Sequence, residues 1–246
     1  MHAVATLSVT KEWVDLAYSL SLFLPCFNEE QNVERTVRAS VAALREVTDD
    51  FEVIVVNDGS RDRTGEIAER LAAENSHVRV CHHERNRGYG AALRTGFLAA
   101  RKDLVCFMDA DGQFDAREIS DLLSLADKAD IVSGFRLNRR DPFFRSLNAF
   151  LFNRLVRLLF GLKVTDLNCA FKLYHRRVVD AIAPQLESTG AFINAEMLIR
   201  AKKAGFSIME IGVHHYPRVA GTQTGAKLSV ILRAFKELFA LFRKLR

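Results

Sequence analysis

Asp109 and Asp111 stand one residue apart in "VCFMDADGQF", residues 105–114, directly behind an apolar run. Val105, Cys106, Phe107 and Met108 read as a buried strand, which puts both carboxylates at its carboxyl end. Two like charges that close repel unless water, a cation or a cationic partner compensates them. Side chains at i and i+2 share a face on a strand and can also converge in a loop. Oxygen ligands with no cysteine or histidine nearby suit Mg2+ or Mn2+. A magnesium-type site that keeps several waters and binds substrate phosphates needs only one or two protein carboxylates. Gln113 can add a carbonyl oxygen. The plainer alternative is a solvated turn, since Asp-Gly and Gly-Gln are common turn pairs.

Three more polar clusters follow apolar runs. Asp58 closes one in "VNDGSRDRTGE", where a carboxylate can accept hydrogen bonds from a ribose or a base; Ser60, Asp62 or Thr64 can cap the next helix. "PCFNEEQN" places Asn28 as a candidate helix cap and Glu29 near the positive end of the helix it precedes. "ERNRGYGAALRTG" sets Asn86, Gly88 and Gly90 before a helix. It holds GxG without GxGxxG, so a dinucleotide fingerprint is unsupported. His82, His83, His214 and His215 read as strand positions with one solvated face.

The elements that must position these residues alternate. Strand signals fall at 20–25, 51–58, 77–83, 104–111 and 130–136, and helical stretches near 29–47, 62–75, 88–101 and 115–127. That alternation predicts a mostly parallel sheet with helices on both faces. Ligands of such sheets collect at the carboxyl ends of the strands, where three of the clusters fall together. The second half is less regular. Residues 142–162 carry an apolar stripe at helical spacing, interrupted by Arg145, Arg154 and Arg157. The last helix, 226–245, has Leu228, Ile231, Leu232, Phe235, Leu238, Phe239, Phe242 and Leu245 on one face. Both helices pack on the core or lie in a membrane interface; the pattern leaves the two readings open.

The 246 residues, 49% hydrophobic, are enough for a full α/β core and argue against disorder. The formal charge is +5, and from Lys227 onward six basic residues face one acidic one, so the tail carries the whole excess. A basic, apolar tail points to a membrane surface rather than to nucleic acid. The expected organisation is one catalytic domain, 1–225, followed by a basic amphipathic helix, 226–246. No two of the four cysteines are close enough for a CxxC metal site, and they read as core residues of a reducing cytoplasm. No signal peptide and no membrane-spanning helix is expected.

"LPCFNEE", "EVIVVNDGSRDRT", "NRGYGAALRTG" and "DADGQ" together resemble the inverting family 2 glycosyltransferases of GT-A fold, with a Rossmann-like sheet. Their order and spacing are similar to the dolichyl- or polyprenyl-phosphate sugar transferases, over roughly residues 19 to 228. The resemblance implies that Pro25, Phe27, Glu29 and Asp58 hold the nucleotide of a nucleotide-sugar donor, with Asn28, Asn86, Gly88 and Asp109 in the same binding set. It implies Mg2+ or Mn2+ on the diphosphate at Asp109, Asp111 and Gln113. Arg136, Arg145, Ser146, Arg218 and Lys227 would meet an acceptor phosphate. Asp166, in "TDLNCAFKLY", and Glu196, in "AEMLIRAKKAG", match family positions and join Asp111 as catalytic candidates. Ala170 stands where the family has glycine. A polyprenyl-phosphate acceptor implies a peripheral site on the cytoplasmic face of a membrane and leaves room for a membrane-protein partner.

The chemistry agrees. Displacing a nucleoside diphosphate leaves new negative charge, which a metal on the diphosphate stabilises. A hydroxyl acceptor needs a general base, for which Asp166 is available. A phosphate monoester carries roughly 1.5 to 2 negative charges at pH 7 and needs only cations to place it, a task suited to arginine. The rivals are a glycan or small hydroxyl acceptor, and a non-catalytic subunit that binds nucleotide sugar at a membrane. A nucleotidyltransferase would carry a glycine- and lysine-rich phosphate loop near Pro25, and none is there.

Overall fold

The computed structural model describes residues 18–137, 143–218, 220 and 228–245. Five strands of the first half lie where apolar runs predict them: β1 (Leu20–Cys26), β2 (Phe51–Asn57), β3 (Val78–His82), β4 (Leu104–Met108) and β5 (Ile131–Arg136). Between them run α1 (Val33–Arg45), α2 (Thr64–Glu74), α3 (Tyr89–Ala99) and the short α4 (Ile119–Leu123). Then come α5 (Phe143–Phe160), β6 (Phe171–His175), α6 (Arg176–Ile182), α7 (Ile193–Lys203), β7 (Ile208–Val213) and α8 (Leu228–Leu245). One seven-stranded sheet takes the order β3-β2-β1-β4-β6-β5-β7. Every residue of β1, β2 and β4 is buried. Neighbours along a strand point to opposite faces, so both faces of the central sheet are covered.

The sheet is parallel except at β6, which runs antiparallel to both β4 and β5. That single reversal matters for the site. Met108 pairs with Phe171, so the loop entering β6 lies on the same edge as the end of β4. The carboxyl ends of β1, β2, β4, β5 and β7 and the amino end of β6 therefore share one edge. Beneath it, Phe23 stacks on Phe107 at 5.5 Å between ring centroids, Phe97 meets Phe23 edge-on at 4.9 Å, and Tyr174 meets Phe97 at 5.3 Å. This aromatic block seats α3 against the centre of the sheet.

The structure differs from the sequence reading in places. β6 and β7 were not expected as strands. The stretch expected as one helix over 115–127 breaks into a 3-10 turn at 116–118, α4, and a second turn at 126–128. Local side chains account for it: Asp115 accepts from Arg117 N at 3.0 Å, and the Ser124 hydroxyl donates to the Asp121 carbonyl at 2.6 Å. Such bonds compete with helix continuation. Strand β4 stops at Met108, so Asp109 and Asp111 sit in a turn and not on the strand. The two long helices form as expected. α8 buries Leu238 and Leu241, and its Phe235 and Phe242 meet Phe152 and Phe160 of α5 edge-on. No described helix is long and apolar enough to cross a membrane.

Candidate active site

The loops after β1 and β2 are stitched to each other. Asn28 N donates to Ser60 Oγ at 3.0 Å and Glu29 N to Thr64 Oγ1 at 2.8 Å; Asn28 Oδ1 in turn accepts from Arg61 N at 2.8 Å. Asp62 Oδ2 accepts from Glu30 N and Glu30 Oε2 from Arg63 N, both at 3.1 Å. Asn28 is thus not the expected helix cap: it adopts φ 56 and bridges to the second loop, while α1 starts behind Asn32. Ser60 and Thr64 hydroxyls accept from the first loop, while Asp62 does both jobs: its Oδ2 bridges to Glu30 and its Oδ1 caps the start of α2, accepting from Thr64 N at 3.0 Å. Pro25 is buried on β1, and Phe27 projects at its end, 42% exposed.

Asp58 was expected to accept from a ribose or base. It is buried and takes its hydrogen bonds from its own chain: His83 Nδ1 at 2.6 Å, Arg87 N at 2.8 Å and Gly88 N at 2.9 Å. Two backbone donors and an imidazole converge there because the 83–88 loop folds back over the end of β2. Asp58 is a post that shapes the turn into α3, and Gly88 serves as its donor. His83 is a buried member of this network, with its other nitrogen 2.9 Å from Thr95 Oγ1, and not a solvated strand residue. The turn also packs against the 188–189 loop. A Cβ on Gly90 would lie 2.3 Å from the Ser188 carbonyl oxygen, so this approach requires glycine. Asn86 is exposed at the rim.

The two aspartates share the turn 109–112, closed by Gly112 at φ 72 and held from α1 by the Thr36 hydroxyl on the Ala110 carbonyl at 3.1 Å. Asp109 Oδ1 accepts from the Tyr89 hydroxyl at 3.0 Å. Asp111 Oδ1 accepts from Gln113 N at 3.1 Å, and its Oδ2 lies 3.4 Å from Arg218 Nη1. Arg218 also pairs with Glu29, whose second oxygen takes Asn32 Nδ2 at 2.8 Å. Gln113 is tied to Tyr216 by bonds of 2.8 Å in both directions. Burial and the Asp111 charge push the Asp109 carboxyl up, and burial pushes Asp111 up as well. Burial and Asp109 raise the Tyr89 phenol, whose hydroxyl also meets the Asn194 amide. The arrangement is two hard-oxygen carboxylates that resist carrying both charges, with Arg218 close to one of them. It fits a hard divalent cation.

The described candidate residues of the second half are paired within the chain. Arg136 and Asp166, read as a phosphate ligand and a base, form a bidentate pair, with Nε to Oδ2 at 2.6 Å and Nη2 to Oδ1 at 3.0 Å. Both side chains are almost wholly buried in this pairing. A planar guanidinium matched to a carboxylate in little water is the physical reason. Lys172, fully buried on β6, donates to the Leu167 carbonyl at 3.2 Å and to that of Cys169, fixing the Asp166 loop. Burial holds its ammonium below the usual lysine range. Glu196, expected to be catalytic, is buried inside α7. It accepts from Ser188 N at 2.8 Å, Glu187 N at 3.2 Å and Arg200 Nε at 2.8 Å. It anchors the loop against which Gly90 packs. Arg218, expected on the acceptor phosphate, stands beside the aspartate pair, where the carboxylates of Glu29 and Asp111 converge on it. Arg145 and Ser146 belong to α5, but their side chains fall outside the described set, as does Lys227. Sequence reasoning missed His83, Tyr89, Lys172 and Asn194; of these only Lys172, a cation inside an apolar run, left a signal.

The family described as Glycosyl transferase family 2 matches residues 21–183, the stretch that builds β1 to β6 and the aspartate turn. This chain belongs to that family. Glycosyltransferase AglD of Haloferax volcanii is 36% identical over 207 residues, covering 81% of this chain and 33% of that protein, so the chain spans about a third of its length. Among solved structures, glucosyl-3-phosphoglycerate synthase from Mycobacterium tuberculosis superposes with a TM-score of 0.71 at 21% identity, covering 92% of this chain and 80% of that one. That structure holds Mn2+, uridine-diphosphate-glucose and phosphoglyceric acid. Another of the same enzyme, with Mg2+ and uridine-diphosphate, aligns at a TM-score of 0.65 and 21% identity over 92% of this chain and 76% of that one. The likeness establishes the GT-A fold for this family 2 glycosyltransferase domain.

Proposed function

We propose that this chain transfers a sugar, with inversion, from a nucleotide sugar to the phosphate of a polyprenyl phosphate. One observation carries the choice of acceptor. The two second-half carboxylates that family position offers as bases are both engaged, Asp166 by Arg136 and Glu196 by two backbone amides and Arg200. Both oxygens of Asp166 lie on the Arg136 guanidinium, and those of Glu196 lie on Arg200 and the two amides, so each oxygen already has a donor inside the chain. A hydroxyl acceptor would need such a base, whereas a phosphate monoester arrives ionised.

The geometry supports the donor half of the reading. Phe27, exposed at the end of β1, offers a face for the base. Asp109 and Asp111 are the residues that would hold Mg2+ or Mn2+, which when bound neutralises charge on the departing diphosphate. Tyr89 fixes the orientation of Asp109, and Gln113 ties the turn to the segment after β7 that carries Arg218. Arg218 supplies a cation at the same edge for a phosphate oxygen. Asp58, Glu196 and Gly90 set the shape of the wall between donor and acceptor.

A second reading draws on the solved relative that holds phosphoglyceric acid: a small phosphorylated hydroxy acid accepts through its hydroxyl. A screen separates them. Purified chain is incubated with Mn2+, a panel of nucleotide sugars, and either a short prenyl phosphate, its alcohol, or a phosphorylated hydroxy acid. Sugar transfer to the prenyl phosphate alone is expected. Transfer to either hydroxyl compound refutes the acceptor assignment, and donor binding without turnover refutes catalysis.

A further inference from the structure

We infer that the outward faces of α5 and α8 together form one surface that docks on an anionic lipid bilayer. The inference deepens the polyprenyl-phosphate reading and rests on it for its purpose; its observations are separate. Five of the nine exposed large apolar side chains among the described residues lie on these two helices. Leu158 is 80% exposed, Leu232 61% and Phe150 60%, with Leu151 and Phe239 beside them. Clustering of this kind marks an interaction surface, whereas single exposed hydrophobics do not.

The two helices present these residues on the same side of the molecule. Phe152 of α5 meets Phe235 of α8, and Phe160 meets Phe242, so the helices run side by side in the same direction. Both turn their other faces inward: Phe152 and Val156 are buried on α5, Leu238 and Leu241 on α8. Phe150, Leu151, Arg154, Arg157 and Leu158 are exposed on α5, and at helical spacing they fall on the face opposite Phe152 and Val156. Leu232, Lys236, Phe239 and Arg243 make the matching outward stripe of α8.

Charge selects the occupant. Arg154, Arg157, Lys236 and Arg243 have no carboxylate partner among the described residues, and α5 contains no acidic residue at all. The acidic residue of α8, Glu237, is paired with Arg233. Apolar side chains interleaved with unpaired cations match acyl chains beneath anionic headgroups, the pattern of a helix lying in the plane of a bilayer interface. A protein partner with a dry apolar patch would leave those four cations desolvated and unpaired. Position agrees. α5 follows β5, whose end at Arg136 lies on the edge that carries the aspartate pair, so a bilayer under this surface lies beside the acceptor half.

The test uses the full chain, phosphatidylcholine vesicles with and without phosphatidylglycerol, and flotation to measure partitioning. Three double variants are compared: Phe150→Asp with Leu158→Asp, Leu232→Asp with Phe239→Asp, and Lys236→Gln with Arg243→Gln. All six positions are exposed, and circular dichroism with urea melts verifies folding. Each apolar pair should lower partitioning by roughly tenfold or more. The charge pair should lower it by about tenfold on anionic vesicles and leave the weak binding to neutral ones unchanged. Absence of wild-type binding overturns the inference, as does an effect confined to the α8 variants, or a wild-type dimer in solution that the apolar variants split. Transfer to a short water-soluble prenyl phosphate should be unchanged in all three variants. If that transfer is absent while vesicle binding behaves as expected, the acceptor assignment fails and the docking surface stands.

Discussion

Replacing Asp111 with asparagine should move metal binding and metal-free stability in opposite directions. The amide oxygen can keep the bond from Gln113 N, now 3.1 Å from Asp111 Oδ1, so the turn retains its shape. The charge is lost. In the wild type, burial and the neighbouring carboxylate raise Asp109 from an ordinary value of 3.8 to about 7. A carboxyl raised in this way keeps its proton in the folded state after the unfolded chain has released it. The stability from that proton is full below about pH 4 and is lost as pH climbs to about 7. Removing the like charge reduces the loss. Relief of about one pK unit is worth about 1.4 kcal/mol. The 3.4 Å contact with Arg218 disappears, at about 0.5 kcal/mol for a partly exposed pair, and Arg218 keeps Glu29. The net expectation is a metal-free variant about 1 kcal/mol more stable than wild type at about pH 8 and equal to it at about pH 4. Urea melts in EDTA at the two pH values measure this. Titration of Mn2+ followed by electron paramagnetic resonance should show its affinity reduced more than about a hundredfold. Destabilisation of the variant at the higher pH, or wild-type Mn2+ affinity, would refute the reasoning.

Three further outcomes follow from the same contacts. Tyr89→Phe removes the hydroxyl that orients Asp109, so Mn2+ affinity should fall about tenfold while urea stability changes by less than about 1 kcal/mol; equal affinity would deny the hydroxyl that role. Glu196→Gln leaves Arg200 buried without its counter-charge and should cost about 3 kcal/mol in urea melts. A catalytic glutamate would instead lose turnover at unchanged stability. Asp166→Asn should leave the pH profile of kcat with a prenyl phosphate acceptor unaltered among molecules that fold, because Asp166 transfers no proton in this account; disappearance of an acidic limb would identify it as a base.

The first five strands and the polar clusters behind them were legible in the sequence because each part is local. β1, β2 and β4 are largely apolar runs buried on both faces, and polar clusters directly follow them. The pairings of the second-half residues were not, because they form across the chain. Nothing near Asp166 in the sequence indicates that Arg136 will reach it from the end of β5, or near Glu196 that the 187–188 amides will turn onto it. His83 looks like one of an alternating pair until Asp58 and Thr95 close on it from two other elements. β6 escaped notice because Lys172 sits in its middle, and a buried ammonium is tolerable only where carbonyls of a folded loop, here those of Leu167 and Cys169, surround it. The apolar stripes of α5 and α8 were visible, but which apolar residues stay uncovered depends on how the two helices lean on each other.

The linkage in the product tests the central claim most directly. Phosphorus-31 nuclear magnetic resonance can follow a short prenyl phosphate incubated with the chain, Mn2+ and the donor that supports turnover. The account predicts that the monoester resonance is replaced by that of a phosphodiester, as the acceptor's own oxygen displaces the nucleoside diphosphate. A monoester resonance that persists while sugar appears on a hydroxyl compound would contradict it.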